Sequence, residues 1–174
     1  MGIEDDIKDK MKNEMTLTQR VAMYIPGYRG YRERNLRRDE DRAVREELSR
    51  CIQGTKADLA NVQRGLIGSP LMMDVERIRT KVDRYDIDVK KAVNGYSAFH
   101  ASMKVTEADL DRLVHWDAKI MDDIQDMRVA SADLLKSVDM GLDCKAEIRS
   151  FERGVDALIE DYNQREAVMK GIQE

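Results

Sequence analysis

The chain has 174 residues and a net charge of -4, with 37% charged and 42% hydrophobic residues. This length fits a single domain, and the acidic balance argues against a general nucleic-acid binder, because such proteins are usually basic. Without an apolar run of the roughly 20 residues that span a bilayer, and with a charged N-terminus in place of a signal peptide, the sequence predicts a cytoplasmic protein. Cys51 and Cys144 form no CxxC pair and are expected to be free thiols.

The first predicted element is an amphipathic helix over residues 1–24. Apolar residues recur at i, i+4 spacing along one narrow face: Ile3, Ile7, Met11 and Met15. Thr16 followed by Gln19 has the pattern of a capping box, which indicates that a short second helix begins there. The many acidic residues on the polar face favour packing on a bundle or a partner over a membrane surface.

A turn over residues 25–30 separates this segment from a long helix over residues 31–68. Pro26 cannot continue a helix, and Gly27 and Gly30 allow backbone angles that other residues avoid. The long helix keeps one apolar line for about six turns. That line consists of Val44, Leu48, Ile52, Thr55, Leu59, Val62 and Leu66.

Three further helices are predicted over residues 70–94, 106–139 and 143–173, each with apolar residues three and four apart. Thr106 and Asp109 resemble a capping box, and the connection before them is apolar enough to fold onto the end of a bundle. The prediction is an all-α antiparallel bundle of about four to five helices, forming one domain over 1–174 with long coiled-coil-like hairpins. Apolar lines alone leave open whether the last layer of burial is internal or made with a second chain.

The most distinctive segment joins arginine to tyrosine at the start of the long helix. Its candidate binding residues for an anion or a partner are Tyr28, Arg29, Tyr31, Arg32, Arg34, Arg37 and Arg38. Arginine binds phosphate and carboxylate groups, and tyrosine can stack on bases or lie at lipid headgroups. The alternative is internal, with the tyrosines packed in the bundle and the arginines paired to nearby acids such as Asp39 or Glu40. Positive charge at a helix N-terminus is unfavourable, so either interpretation requires a partner.

Asp117 is a polar residue on the apolar seam of the fourth predicted helix. A buried aspartate needs a cationic or hydrogen-bonding partner, and it fixes the register between helices. An arginine of the 29–45 segment or a histidine is the expected partner.

No pattern for catalysis, a cofactor or a metal is visible. His100 and His115 are the two histidines, and neither follows a glutamate by three residues as in di-iron bundles. Phosphate-binding loops, dinucleotide fingerprints and nucleophile triads are also lacking. The sequence therefore predicts a protein that is not an enzyme, with no catalytic, cofactor or metal residues. Its eleven methionines fit a core or an adaptable binding surface.

Two blocks of the sequence have a distinctive pattern. The first block comprises Gly27-Tyr28-Arg29-Gly30-Tyr31-Arg32-Glu33-Arg34, Arg37-Arg38, Asp41 and Arg45. The second comprises Ala92-Val93-Asn94-Gly95-Tyr96-Ser97, Phe99-His100-Ala101, Lys104-Val105, Leu110 and Trp116-Asp117. Together they resemble an uncharacterised prokaryotic family of small helical, coiled-coil proteins. The resemblance implies an association with membrane-stress gene clusters and no established catalytic residue. His100 departs from it, since an acidic residue is more usual there.

The predicted function is a non-enzymatic interaction or scaffold protein that acts through coiled-coil helix faces, with a protein partner or a second copy of itself. The resemblance adds a role in membrane-stress response. The alternative is a peripheral binder of anionic surfaces, lipid headgroups or nucleic acid, through the arginine and tyrosine segment over residues 28–38. The two differ in salt dependence, because contacts to polyanions weaken steeply with ionic strength.

Overall fold

A computed structural model describes residues 14–91 and 106–171 of the chain. Within these ranges the protein is all helical and contains no strand. The α-helices are α1 (Leu17–Tyr24), α2 (Arg37–Gly65), α3 (Met72–Lys91), α4 (Glu107–Asp139) and α5 (Lys145–Gly171). A short 3-10 turn over Arg34–Leu36 precedes α2. The prediction of an all-α helical bundle is confirmed.

The described residues form four long helices arranged around one core. α2 packs against α3 and α4, and α5 packs against α4 and α3, so α3 and α4 lie on opposite corners. Because successive helices reverse direction, α2 and α4 run parallel to each other, as do α3 and α5. α1 packs on the outside of α4. The chain between α3 and α4, including the connection expected to fold onto the bundle end, lies outside the described residues.

The apolar line of α2 forms its share of the core. Val44, Leu48, Ile52, Leu59 and Val62 are completely buried within this single chain. The facing residues of the other long helices are buried as well: Val75, Ile78, Val82, Leu113, Ile120, Ile124, Ile148 and Leu158. The apolar faces that periodicity identifies are therefore covered by one another, and burying this much apolar side chain stabilises the fold strongly.

Two helix starts follow the predicted capping chemistry. The Thr16 hydroxyl accepts a hydrogen bond from the Gln19 backbone N–H at 3.3 Å, and the Gln19 side chain accepts one from the Thr16 N–H at 2.9 Å. Thr106 and Asp109 make the same reciprocal pair at the start of α4. Both capping boxes are confirmed, and the first interrupts the helix predicted over 1–24, whose Ile3, Ile7 and Met11 lie outside the described residues.

The long helix α2 is shorter than its sequence pattern indicates. It begins at Arg37, where residue 31 was expected, and it ends at Gly65. Tyr28 to Glu33 instead form a non-helical stretch in which Gly30 adopts a positive φ of 68°. This backbone allows Tyr28 and Tyr31 to direct their side chains into the core together. At 29 residues, α2 is roughly 44 Å long.

Candidate functional site

The arginine and tyrosine segment is divided by burial into two groups. Tyr28 and Tyr31 are buried. Arg37 is only 8% exposed, and its Nε donates a hydrogen bond to the Tyr31 carbonyl at 2.7 Å. Arg38 is half-buried. The side chains exposed to solvent are those of Arg29, Arg32 and Arg34. The segment therefore does not present one continuous binding surface.

The two tyrosines bind an internal carboxylate. The hydroxyl groups of Tyr28 and Tyr31 donate to Oδ2 of Asp117 at 2.8 and 2.5 Å. Burial and the neighbouring Asp117 carboxylate raise the pKa of both tyrosines well above the ordinary value, so both remain protonated donors. Their rings meet edge to face, with centroids 6.1 Å apart. Neither tyrosine is free to stack on a base or to enter a lipid headgroup layer.

Asp117 pairs with Arg165 of α5, where sequence reasoning expects an arginine of residues 29–45. The Arg165 Nε lies 2.5 Å from Oδ1 of Asp117, and its Nη2 lies 2.7 Å from Oδ1 of Asp41. All three side chains are completely buried. Burial alone would lower the pKa of Arg165, but the carboxylate of Asp117 and the groups around it hold that pKa above its ordinary value.

A second arginine extends this buried network across the bundle. The Arg45 Nε lies 2.8 Å from Asp41, and its Nη2 lies 2.8 Å from Glu166. Arg45 also donates to the Tyr162 hydroxyl and to the Val89 carbonyl. The network thus connects α2, α3, α4 and α5 with the segment before α2. Its protonated tyrosines and permanently charged arginines are poor proton-transfer groups, so the arrangement fixes helix positions and supplies no acid-base pair.

The histidine and metal predictions concern a different part of the chain. His115 lies exposed on α4 with its ring 5.8 Å from that of Trp116, and His100 lies outside the described residues. Among residues 14–91 and 106–171, no group of three His, Cys, Asp or Glu side chains could hold a metal ion. Over the same part of the chain, no helix is both long and apolar enough to cross a bilayer.

A groove of about 470 Å³ runs along the contact between α4 and α5. Its apolar floor consists of Met127, Ala130, Leu134, Phe151 and Val155. Its rim is acidic, with Asp123, Asp126 and Asp133 from α4 and Glu147 from α5. The part of the chain that the structure describes places no basic residue on the rim. Among the described residues, no lysine or arginine forms a salt bridge with Asp126, Asp133 or Glu147. We call this site the α4–α5 groove.

One rim carboxyl has an altered proton affinity. Asp123 lies beside Asp161 of α5, and Asp161 forms a salt bridge with Lys119. Burial, together with the contact to Asp161, raises the pKa of Asp123 to about 6, while Lys119 opposes the rise. The proton between the two carboxyl groups is therefore held by Asp123 in mildly acidic solution.

Gly154 lies on α5 in the wall of the groove. A glycine inside a helix is about 1 kcal/mol less favourable than alanine, so a helical glycine is expected to have a structural reason. Gly54 and Gly65 of α2 have one, because an added Cβ would lie 2.5 Å from Arg128 and 2.4 Å from Val138. At Gly154 an added Cβ would meet no atom of the described residues within 4 Å. The space in front of Gly154 is open to the groove.

Sequence reasoning missed the groove. Its acidic residues on α4 are three and seven residues apart, as on an ordinary solvated helix face, so only the neighbouring helix reveals a concave site. Gly154, in the middle of a strongly periodic helix, is the signal that could have indicated it. Comparison of the chain with protein-family models, with curated proteins and with solved structures finds no match.

Proposed function

We propose that this protein is a non-enzymatic interaction or scaffold protein that binds a protein partner in the α4–α5 groove. The observation that carries the proposal is this concave site, with its apolar floor, its charged rim and an open glycine in one wall. A groove with an apolar floor between two helices is a recurring site for an amphipathic helix of a protein partner. The coiled-coil faces on which the sequence pattern placed partner binding are occupied inside the bundle.

The proposal includes a cytoplasmic location and a role in membrane-stress response. Buried free thiols at Cys51 and Cys144 support a reducing compartment. The proposed role in membrane-stress response rests only on the resemblance of the two sequence blocks.

Site-specific photo-crosslinking in the native host tests the proposal. A photoreactive amino acid replaces Ser150, which lines the groove, and in a control it replaces Asp88, which is exposed on α3. We expect a discrete adduct from the groove position, absent when Gly154→Trp is introduced in the same chain. The mass of the adduct tells whether the partner is another protein or a second copy, which is the predicted homo-oligomer. Equal adducts from both positions, or an adduct insensitive to Gly154→Trp, would contradict the proposal.

A second candidate function is peripheral binding to anionic surfaces, and the exposed arginines favour it. Arg29 pairs at 3.0 Å with Glu33, but that pair is largely solvated and so contributes little. Arg32 and Arg34 form no salt bridge with any described residue. Co-sedimentation with vesicles of phosphatidylserine and phosphatidylcholine at low and high salt tests this function. The triple variant Arg29→Ala, Arg32→Ala, Arg34→Ala should lose salt-sensitive binding, and no binding by the unaltered protein would exclude this function.

A further inference from the structure

We propose that the partner segment bound in the α4–α5 groove is an amphipathic helix with lysine or arginine on both flanks of a narrow apolar stripe. This inference rests on the proposed function and names the chemistry of its partner. It follows from three properties of the groove: the charge of its rim, the burial of its floor and the open space at Gly154.

The rim requires a cationic partner. Four carboxyl groups line the groove, and Asp126, Asp133 and Glu147 are exposed without a salt bridge to any described lysine or arginine. Acidic groups gathered around a concave surface repel one another and raise the local concentration of cations. A ligand with positive charge on both flanks would place cations opposite α4 and α5 at once. Nucleic acid and anionic lipid would be repelled by the same groups.

The floor indicates that charge carries much of the recognition. Phe151 and Val155 are 5% and 1% exposed, since the packing of α4 on α5 already covers them. Little apolar surface is therefore left for a ligand to cover, and hydrophobic gain scales with that surface. A narrow apolar stripe on the ligand is enough to cover this floor. The consequence is binding that weakens as salt screens the flanking charges.

Gly154 indicates that the backbone of a partner approaches α5 closely. Gly54 and Gly65 are matched by side chains of α4 that occupy the space of a missing Cβ, whereas nothing in the described chain occupies that space at Gly154. Helices cross at a separation set by the side chains at the contact, and glycine permits the closest crossing. A partner helix that crosses α5 at Gly154 therefore fills the groove that the described residues leave open.

A second copy of this chain does not match the groove. A two-fold symmetric contact through this surface would bring each acidic rim against an identical one. Since like charges placed face to face disfavour association, the occupant is a different protein with a basic helix.

The test uses a synthetic 20-residue helical peptide with leucine and alanine on one face and lysine on both flanks. Its matched control carries glutamate in place of each lysine. Fluorescence anisotropy measures the Kd of both peptides for the full chain at 50 and 500 mM NaCl. We expect the lysine peptide to bind, with a Kd about tenfold or more weaker at high salt, and the glutamate peptide not to bind.

Three variants locate the binding. Asp126→Asn with Asp133→Asn should weaken binding by roughly three- to tenfold, as expected for two exposed charge pairs. Asp88→Asn with Asp111→Asn changes the net charge equally away from the groove and should leave the Kd within about twofold. Gly154→Leu fills the groove and should abolish binding. Circular dichroism melting of each variant verifies that the bundle is folded.

The outcomes separate the two proposals. If Gly154→Leu blocks the peptides while salt and the rim variants have no effect, the groove binds a partner but the basic helix is wrong. If both peptides bind equally, or both double variants weaken binding equally, the inference is also overturned. If the lysine peptide binds and Gly154→Leu leaves that binding intact, the peptide does not occupy the groove and the inference falls, while crosslinking still decides the proposed function. Absence of any peptide binding overturns the inference alone, since crosslinking tests the groove independently.

Discussion

Arg165 of α5 and Asp117 of α4 form an ion pair in which neither side chain is exposed to solvent, with 2.5 Å between Nε and Oδ1. Two tyrosines and Asp41 complete the hydrogen bonding of this pair. Removing one member of such a pair leaves the other charge buried and uncompensated. The pair therefore determines how α4 and α5 pack, and it can be tested directly.

Asp117→Asn and Arg165→Met should each lower the free energy of unfolding by about 3–5 kcal/mol. The double variant should lose less than the sum of the two by about 1–3 kcal/mol, because the first change already removes the interaction. Urea denaturation followed by circular dichroism measures all three. Additive losses, or an unchanged melting curve for Asp117→Asn, would contradict the buried pair.

The arginines before and at the start of α2 should differ in their contribution to stability. The triple variant Arg29→Ala, Arg32→Ala, Arg34→Ala should have a free energy of unfolding within about 0.5 kcal/mol of that of the unaltered protein, since these side chains are exposed. Arg37→Ala should lose about 1–3 kcal/mol because the buried Tyr31 carbonyl loses its charged donor. Thermal denaturation compares the two variants. Equal losses of stability in the two variants would contradict the assignment of Arg37 as buried and of the other three arginines as exposed.

Two glycine substitutions should have opposite effects. Gly154→Ala should raise the free energy of unfolding by about 0.5–1 kcal/mol, because alanine favours the helix and the space is open. Gly65→Ala should lower it, since the new Cβ would lie 2.4 Å from Cγ1 of the stiff Val138 side chain. Urea denaturation of both variants measures the two changes in the free energy of unfolding. A destabilised Gly154→Ala would show that the space in front of Gly154 is not open.

The Asp123–Asp161 contact should make stability depend on pH. The pKa of Asp123 is about 6 in the folded protein and 3.8 as the ordinary value, so the folded state binds more protons between these values. The contribution of Asp123 to the free energy of unfolding is therefore complete below pH 3.8 and is lost as the pH rises through about 6. Asp123→Asn should stabilise the protein by about 1 kcal/mol at pH 7.5, after allowance for solvent screening, and the gain should vanish toward pH 4.

The control for this pH effect is Asp126→Asn, at an exposed position three residues along α4. It should change stability by less than about 0.5 kcal/mol at either pH. Thermal melts across pH 4–8 measure both variants. A gain for Asp123→Asn that stays constant over this range would contradict a proton held between Asp123 and Asp161.

Periodicity predicted the helices well because apolar residues three and four apart record one buried face. It could not predict the partner of Asp117, because that choice depends on which helices are neighbours around the bundle. Arg165 lies on the apolar line of α5, between Tyr162 and Met169, and its place on that line was the available signal. The concentration of arginine over residues 29–45 instead favoured that segment.

The start of α2 shows a second limit of local patterns. Residues 31–36 are compatible with an α-helix, but the hydrogen bonds from Tyr28 and Tyr31 to Asp117 hold residues 28–33 in a non-helical path, and only a 3-10 turn follows before α2. Those bonds join residues more than 80 positions apart, beyond the range of any local pattern. The α4–α5 groove is similar, because its walls belong to two helices and its concavity exists only when they pack.

The most direct test of the groove as the binding surface is amide chemical-shift mapping by NMR. Isotope-labelled protein is titrated with the lysine-flanked peptide while two-dimensional nitrogen–proton correlation spectra are recorded. We expect saturable shift changes at amides of residues 123–134 and 147–155, and none in the same regions with the glutamate-flanked peptide. Shift changes confined to residues 29–38, with the groove amides unmoved, would contradict the central claim.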